Sequence, residues 1–142
     1  MQSLQDQITI ILGNAVFALG DDSIEEIVVK KALENEISLS IAESCTGGLI
    51  GHRITQISGS SKIFKGSVVV YSNSSKVNLL GVRENCIDKH GAVSEETAKE
   101  MAEKVRKMFS SKLGLSITGI AGPDGGSKEK PIGLTYIGLS TK

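Results

Sequence analysis

Three times in this chain a short apolar run ends in a polar cluster: "IAESCTGG" (41–48), "VVVYSNSSK" (68–76) and "LSITGIAGPDGG" (115–126). After the first two clusters the apolar spacing changes to that of a helix. Strand-length runs alternating with helical stretches predict an α/β layered domain with a mainly parallel sheet. With 142 residues, 39% of them hydrophobic, the chain suits one domain that buries roughly two-thirds of its unfolded surface.

The pattern can be followed from the N-terminus. Residues 3–12 read as a short helix. Asp21, Asp22 and Ser23 offer caps for a second, with Ile24, Ile27, Val28 and Ala32 at helical spacing. Residues 38–43 read as a strand, and Leu49, Ile50, Ile54 and Ile57 as a helix packed on the sheet. Phe64 to Tyr71 reads as a β-branched buried strand, after which Ser72 and Asn73 can cap a helix holding Lys76. From Ser94, residues Ala98, Met101, Ala102, Val105, Met108 and Phe109 form one apolar stripe. Glu95/Lys99, Glu100/Lys104 and Glu103/Lys107 are expected to pair on its solvent side. Strands at 113–118 and 132–140 flank a glycine-rich loop. Residues 1–20 read as a connecting segment and 21–142 as the domain, which is expected to lack a last C-terminal segment because Lys142 directly follows a strand.

Composition narrows the function. Sixteen Lys and Arg balance sixteen Asp and Glu, and aromatics are 4% of the chain, which argues against a nucleic-acid partner. There is no basic leader, and the apolar stretch Ile8–Leu19 is broken by Gly13 and Asn14. It falls short of the ~20 residues that a bilayer span needs, so no membrane segment is expected and the protein reads as cytoplasmic. Cys45 and Cys86 form no Cys-x-x-Cys pair, and His52 and His90 fit no ligand spacing. Neither a disulfide framework, a metal site nor a cofactor is expected.

In open α/β sheets ligands settle outside the carboxyl ends of strands, where all three polar clusters fall. Ser44 stands at a strand-to-helix turn, either as a helix cap or as a nucleophile beside unpaired N–H groups. No histidine is placed to serve it. Lys76 is the alternative base if burial lowers its pKa, and an ordinary surface lysine if not. Cys45 is expected to face the core, opposite to Ser44, and Glu43 to act as a structural hydrogen-bonding group. The loop 119–126 reads equally as an anion-binding nest and as a flexible connection. Ser127 and Lys130 match Ser-x-x-Lys but precede Pro131 instead of opening a helix, so the match is set aside.

Together, "AESCTGGLI", "YSNSSKVNLLGV", "HGAVSEETA" and "ITGIAGPDGGSKEKPIGLTYIG" resemble the C-terminal domain of the CinA (competence/damage-inducible) family, the nicotinamide-nucleotide amidohydrolases. The resemblance implies a three-layer α/β/α sandwich. It also implies metal-free hydrolysis of nicotinamide mononucleotide to nicotinic acid mononucleotide and ammonia in pyridine-nucleotide salvage. By motif, Ser44 would be the nucleophile, Lys76 its base and Tyr71 an assisting group hydrogen-bonded between them. Cys45, Thr46, Gly47 and Gly48 would form the oxyanion turn and Thr118 would line the site. The loop bearing Gly119 and Gly122, or the helix N-terminus near Gly47, would hold the phosphate. A homodimer is expected, as is an N-terminal molybdopterin-binding-like domain in a longer parent. Two other readings stand beside this one: a catalytically silent nucleotide-binding or interaction module, and a cysteine amidase using Cys45.

Overall fold

The computed structural model describes residues 3–18 and 20–142; Met1, Gln2 and Leu19 of the expected connecting segment lie outside the described residues. Four strands form one sheet: β1 (Leu39–Glu43), β2 (Phe64–Val69), β3 (Leu113–Gly119) and β4 (Thr135–Thr141). Their order is β2-β1-β3-β4, with β1 parallel to both neighbours and β4 antiparallel to β3. The chain leaves β1 first to one side and later to the other, which opens a crevice at the carboxyl ends of the central strands.

Six helices accompany the sheet among the described residues: α1 (Leu4–Leu12), α2 (Ile24–Glu34), α3 (Leu49–Thr55), α4 (Asn73–Asn78), α5 (Glu84–His90) and α6 (Glu95–Met108). Serines at 3, 23, 72 and 94 cap α1, α2, α4 and α6 by accepting a backbone N–H. Helix α5 was not expected; its short polar sequence, Glu84–His90, carries little periodic signal. His90 is its last residue.

Alternation along β1 divides the core. Leu39 and Ile41 face α2 and α3 with Val29, Ala32 and Ile54, whereas Ala42 faces α6 with Met101, Val105, Val70 and Leu80. Every residue of β1 is buried. Its polar Ser40 is satisfied by the Val105 carbonyl at 3.1 Å and the Ser111 hydroxyl at 2.7 Å. Helix α6 lies close on the sheet because two strand glycines face it. A Cβ at Gly114 would stand 2.2 Å from the Ala102 carbonyl oxygen, and one at Gly138 2.3 Å from that of Ala98.

Several side chains depart from the periodicity. On α2, Val29, Ala32 and Glu25 are buried while Ile24 and Val28 are exposed. The helix is rotated so that these two border, with Leu115, an apolar groove, and Glu25 meets Arg53 of α3. Leu49 of α3 and Met108 of α6 are exposed as well, each at an end of its helix. Glu100 does not pair with Lys104: it is buried and accepts from Arg83, through the backbone N–H at 2.9 Å and Nε at 3.1 Å. Glu95/Lys99 and Glu103/Lys107 do pair on the solvent side. No described helix is long and apolar enough to cross a membrane.

Candidate active site

Strand β1 ends at Glu43, and the next residue, Ser44, is held by its N–H on the Ile117 carbonyl of β3 at 3.0 Å. A tight turn follows, in which Gly47 (φ 60°) donates its N–H to the Ser44 carbonyl at 3.1 Å and Gly48 (φ 103°) caps α3. Both torsions lie in the left-handed region that only glycine enters without cost. The amides of Cys45 and Thr46 have no acceptor among the described residues.

Lys76 comes from the short helix α4, beyond β2. It is 1% exposed, the largest side chain among the fully buried ones. Its Nζ lies 2.9 Å from Ser44 Oγ, 2.8 Å from the Val70 carbonyl and 3.2 Å from the Tyr71 carbonyl. Nζ donates to all three oxygens, and on losing a proton it would keep the two carbonyl bonds and turn its lone pair to the serine hydroxyl. Burial pushes the Lys76 pKa down, partly offset by the neighbouring Cys45, so the uncharged form is the favoured one over a wider range of pH. The surface-lysine reading is thereby removed.

Ser44 and Lys76 share a cavity of about 280 Å³ with Tyr71, Thr118, Gly119 and Gly122, near the lower end of the ~300–1,000 Å³ common for ligand pockets. Ala92, Val93 and Ile120 supply apolar wall, and Asn73 and Asp124 polar groups. Asn73, Ile120 and Asp124 belong to the polar clusters at the strand ends, whereas Ala92 and Val93 come from the loop before α6, to which the sequence assigned no site residue. Tyr71 is 73% exposed, and its contact with Lys76 is through the main chain. The phenol makes no hydrogen bond among the described residues. Thr118 donates its hydroxyl to the Ala92 carbonyl at 2.8 Å, tying the loop before α6 to the end of β3. Cys45 packs against the α2/α3 side of the core, as alternation predicted, while also lining the cavity.

Glu43 is 0% exposed and accepts five hydrogen bonds. Oε2 takes the Thr46 hydroxyl at 2.7 Å and the amides of Gly48 and Ile50 at 3.0 and 3.1 Å; Oε1 takes the Gly51 amide at 2.8 Å and the Ser67 hydroxyl at 3.2 Å. Burial alone would raise its pKa, but the bonds from Gly51, Thr46, Ile50 and Ser67 outweigh it and hold the carboxyl below its usual range. The N-terminus of α3 is thus already filled by an internal anion.

The Ser127/Lys130 match is structural. Ser127 Oγ accepts the Lys130 N–H at 3.0 Å, and Lys130 Nζ donates to the His90 carbonyl at 2.8 Å, pinning the glycine-rich loop to the end of α5. A larger groove of about 530 Å³ between α5 and α6 is lined by charged residues and Cys86. Burial pushes that thiol up, away from reactivity. No group of His, Cys, Asp and Glu among the described residues is arranged to hold a metal ion.

A buried lysine against a serine at the strand ends of an open α/β sheet defines a three-layer protein with a Ser–Lys site in its switch-point crevice. Comparison with known proteins gives the family: residues 21–142 match the CinA C-terminal domain, and the chain belongs to that family. A competence-damage inducible protein of Thermoanaerobacter sp. (strain X514) is 50% identical over 141 residues, covering 99% of this chain and 34% of the relative. A CinA-like protein of Kosmotoga olearia is 48% identical over 136 residues, 96% of this chain and 33% of the relative. The chain thus spans about a third of these relatives' length. The crystal structure of the competence/damage inducible protein CihA from Agrobacterium tumefaciens superposes with a TM-score of 0.81 at 37% identity, over 89% of this chain and 78% of that one.

Proposed function

We propose that this domain hydrolyses the carboxamide of nicotinamide mononucleotide, giving nicotinic acid mononucleotide and ammonia through an acyl-enzyme on Ser44. The observation that carries the reading is the buried Lys76 amine 2.9 Å from the Ser44 hydroxyl in the cavity. As Oγ attacks the amide carbon, Lys76 takes the hydroxyl proton, and the developing oxyanion meets the free amides after Ser44. The tetrahedral adduct collapses with cleavage of the C–N bond, and Lys76 returns the proton to the departing nitrogen. Water then attacks the ester, again giving its proton to Lys76, which passes it to the released Ser44 oxygen.

The apolar wall of Ala92, Val93 and Ile120 suits a flat pyridine ring. Beyond it, the amides of the 119–126 loop suit the phosphate. The test is ammonia release from nicotinamide mononucleotide by the native chain, by Ser44→Ala and by Cys45→Ala. The reading requires release by the native chain and by Cys45→Ala, and none by Ser44→Ala. Tight nucleotide binding without release would instead establish a silent binding module.

A further inference from the structure

Glu43 is the most heavily bonded side chain near the site, yet it touches neither Ser44 Oγ nor Lys76. Alternation explains why: Glu43 points to the α3 side of the sheet and Ser44 to the α4 and α6 side. Every partner of its carboxylate lies in the nucleophile turn, in α3 or in β2: Thr46, Gly48, Ile50, Gly51 and Ser67. The bonds to Thr46 and Gly48 bracket the turn two and four residues beyond Ser44. Gly47 closes it from within by donating back to the Ser44 carbonyl. Only the amides of Cys45 and Thr46 are left without an acceptor in this segment.

We infer that Glu43 is a positioning residue: by taking the Thr46 hydroxyl and the Gly48 amide it anchors the turn and fixes the Cys45 and Thr46 amides as a preformed oxyanion hole. The inference rests on the Ser44 acyl-transfer reading. The physical case is that a hole works only if its dipoles are aimed before charge develops, so that no reorganisation is needed at the moment of reaction. A flexible glycine turn would not hold them. A carboxylate clamped at its root does, and it costs little because five donors compensate its burial.

The side chain of Thr46 is the accessible handle, because its hydroxyl bond to Glu43 can be removed without emptying the buried carboxylate site. Thr46→Val keeps the shape and deletes the bond; Thr46→Ser keeps the bond. Glu43→Gln is the harsher change, since its amide NH2 must oppose either the Gly51 amide or the Oε2 donors. Two rates are read on each folded variant, with thermal unfolding alongside: turnover of nicotinamide mononucleotide, and phosphonylation of Ser44 by an alkyl fluorophosphonate, whose tetrahedral oxygen needs the same hole but not the nucleotide.

Thr46→Val is expected to lower both kcat and the phosphonylation rate by roughly tenfold with KM little changed, less than the ~10²–10³ for outright loss of a hole donor. Thr46→Ser should restore both rates, and Glu43→Gln should fall further than Thr46→Val if it folds. A structural role alone would move the unfolding temperature and leave both rates of the folded protein intact, which would overturn the inference. Normal phosphonylation without deamidation in the native chain would overturn the substrate reading, leaving the variants' labelling rates to decide the role of Glu43. Absence of both reactions in the native chain would overturn both.

Discussion

Lys76 Nζ and Ser44 Oγ stand 2.9 Å apart although 32 residues separate them in the chain. The two arrive on different strand ends, and the amine is closed off from water by the same packing that brings it to the hydroxyl. Its charge state therefore governs both the reactivity of the serine and the stability of the fold.

Turnover is expected to rise with pH as Lys76 loses its proton, with an inflection below the usual lysine range because burial lowers its pKa. Measuring kcat for ammonia release from neutral to alkaline pH checks this. A profile without that limb would remove Lys76 as the base.

Stability carries the same signature. The unfolded chain holds the Lys76 proton at pH values where the folded protein has released it, so this group's contribution to stability increases as pH rises through the folded pKa. Below that point the buried ammonium costs its full penalty. Lys76→Met should thus gain stability relative to the native protein at low pH and lose that advantage at high pH, as read by urea unfolding across the range. The opposite trend would mean that the ammonium is the better-stabilised form.

Cys45→Ala should leave turnover within roughly threefold, because the proposed reaction uses the Cys45 amide and not its thiol, which packs toward the core. Truncating so small a side chain should cost about 1 kcal/mol of stability. Loss of hydrolysis with normal folding would move the nucleophile from serine to cysteine.

Gly138→Ala should destabilise by roughly 2–3 kcal/mol through overpacking. The added Cβ would lie 2.3 Å from the Ala98 carbonyl oxygen of α6 and 2.5 Å from Ser116 Oγ, so the helix must lift from the sheet. Chemical denaturation gives the value. An unchanged midpoint would show that α6 is not held as closely as the glycines imply.

Glu100→Ala should lower the unfolding temperature by several degrees and Glu95→Ala hardly at all. Glu100 is buried and accepts two N–H groups of Arg83, whereas Glu95 meets Lys99 in open solvent. Equal effects would contradict the difference in burial between these carboxylates.

How far the chain could be read without coordinates depends on the kind of signal. Helix α6 was legible because Ser94 caps it and Ala98, Met101, Ala102 and Val105 repeat at its period. Helix α5 was not, because seven residues with two buried side chains give no repeat to detect. On α2 the spacing of Ile24, Ile27, Val28 and Ala32 identified a helix but misjudged which side is inward. The face of a helix is chosen by the neighbour it meets, here through Val29 and the Glu25 contact with Arg53.

For the site, the sequence alone determined that Ser44, Lys76 and Thr118 stand at the ends of strands or just beyond them, since strand length, caps and glycines are local properties of the chain. The family motifs added their proposed roles. Tertiary structure alone decided that Lys76 is buried, that Glu43 occupies the N-terminus of α3 and that Ala92, Val93 and Asp124 share the cavity wall. Burial and pKa depend on which distant segments exclude water from a group, and no spacing along the chain encodes that exclusion.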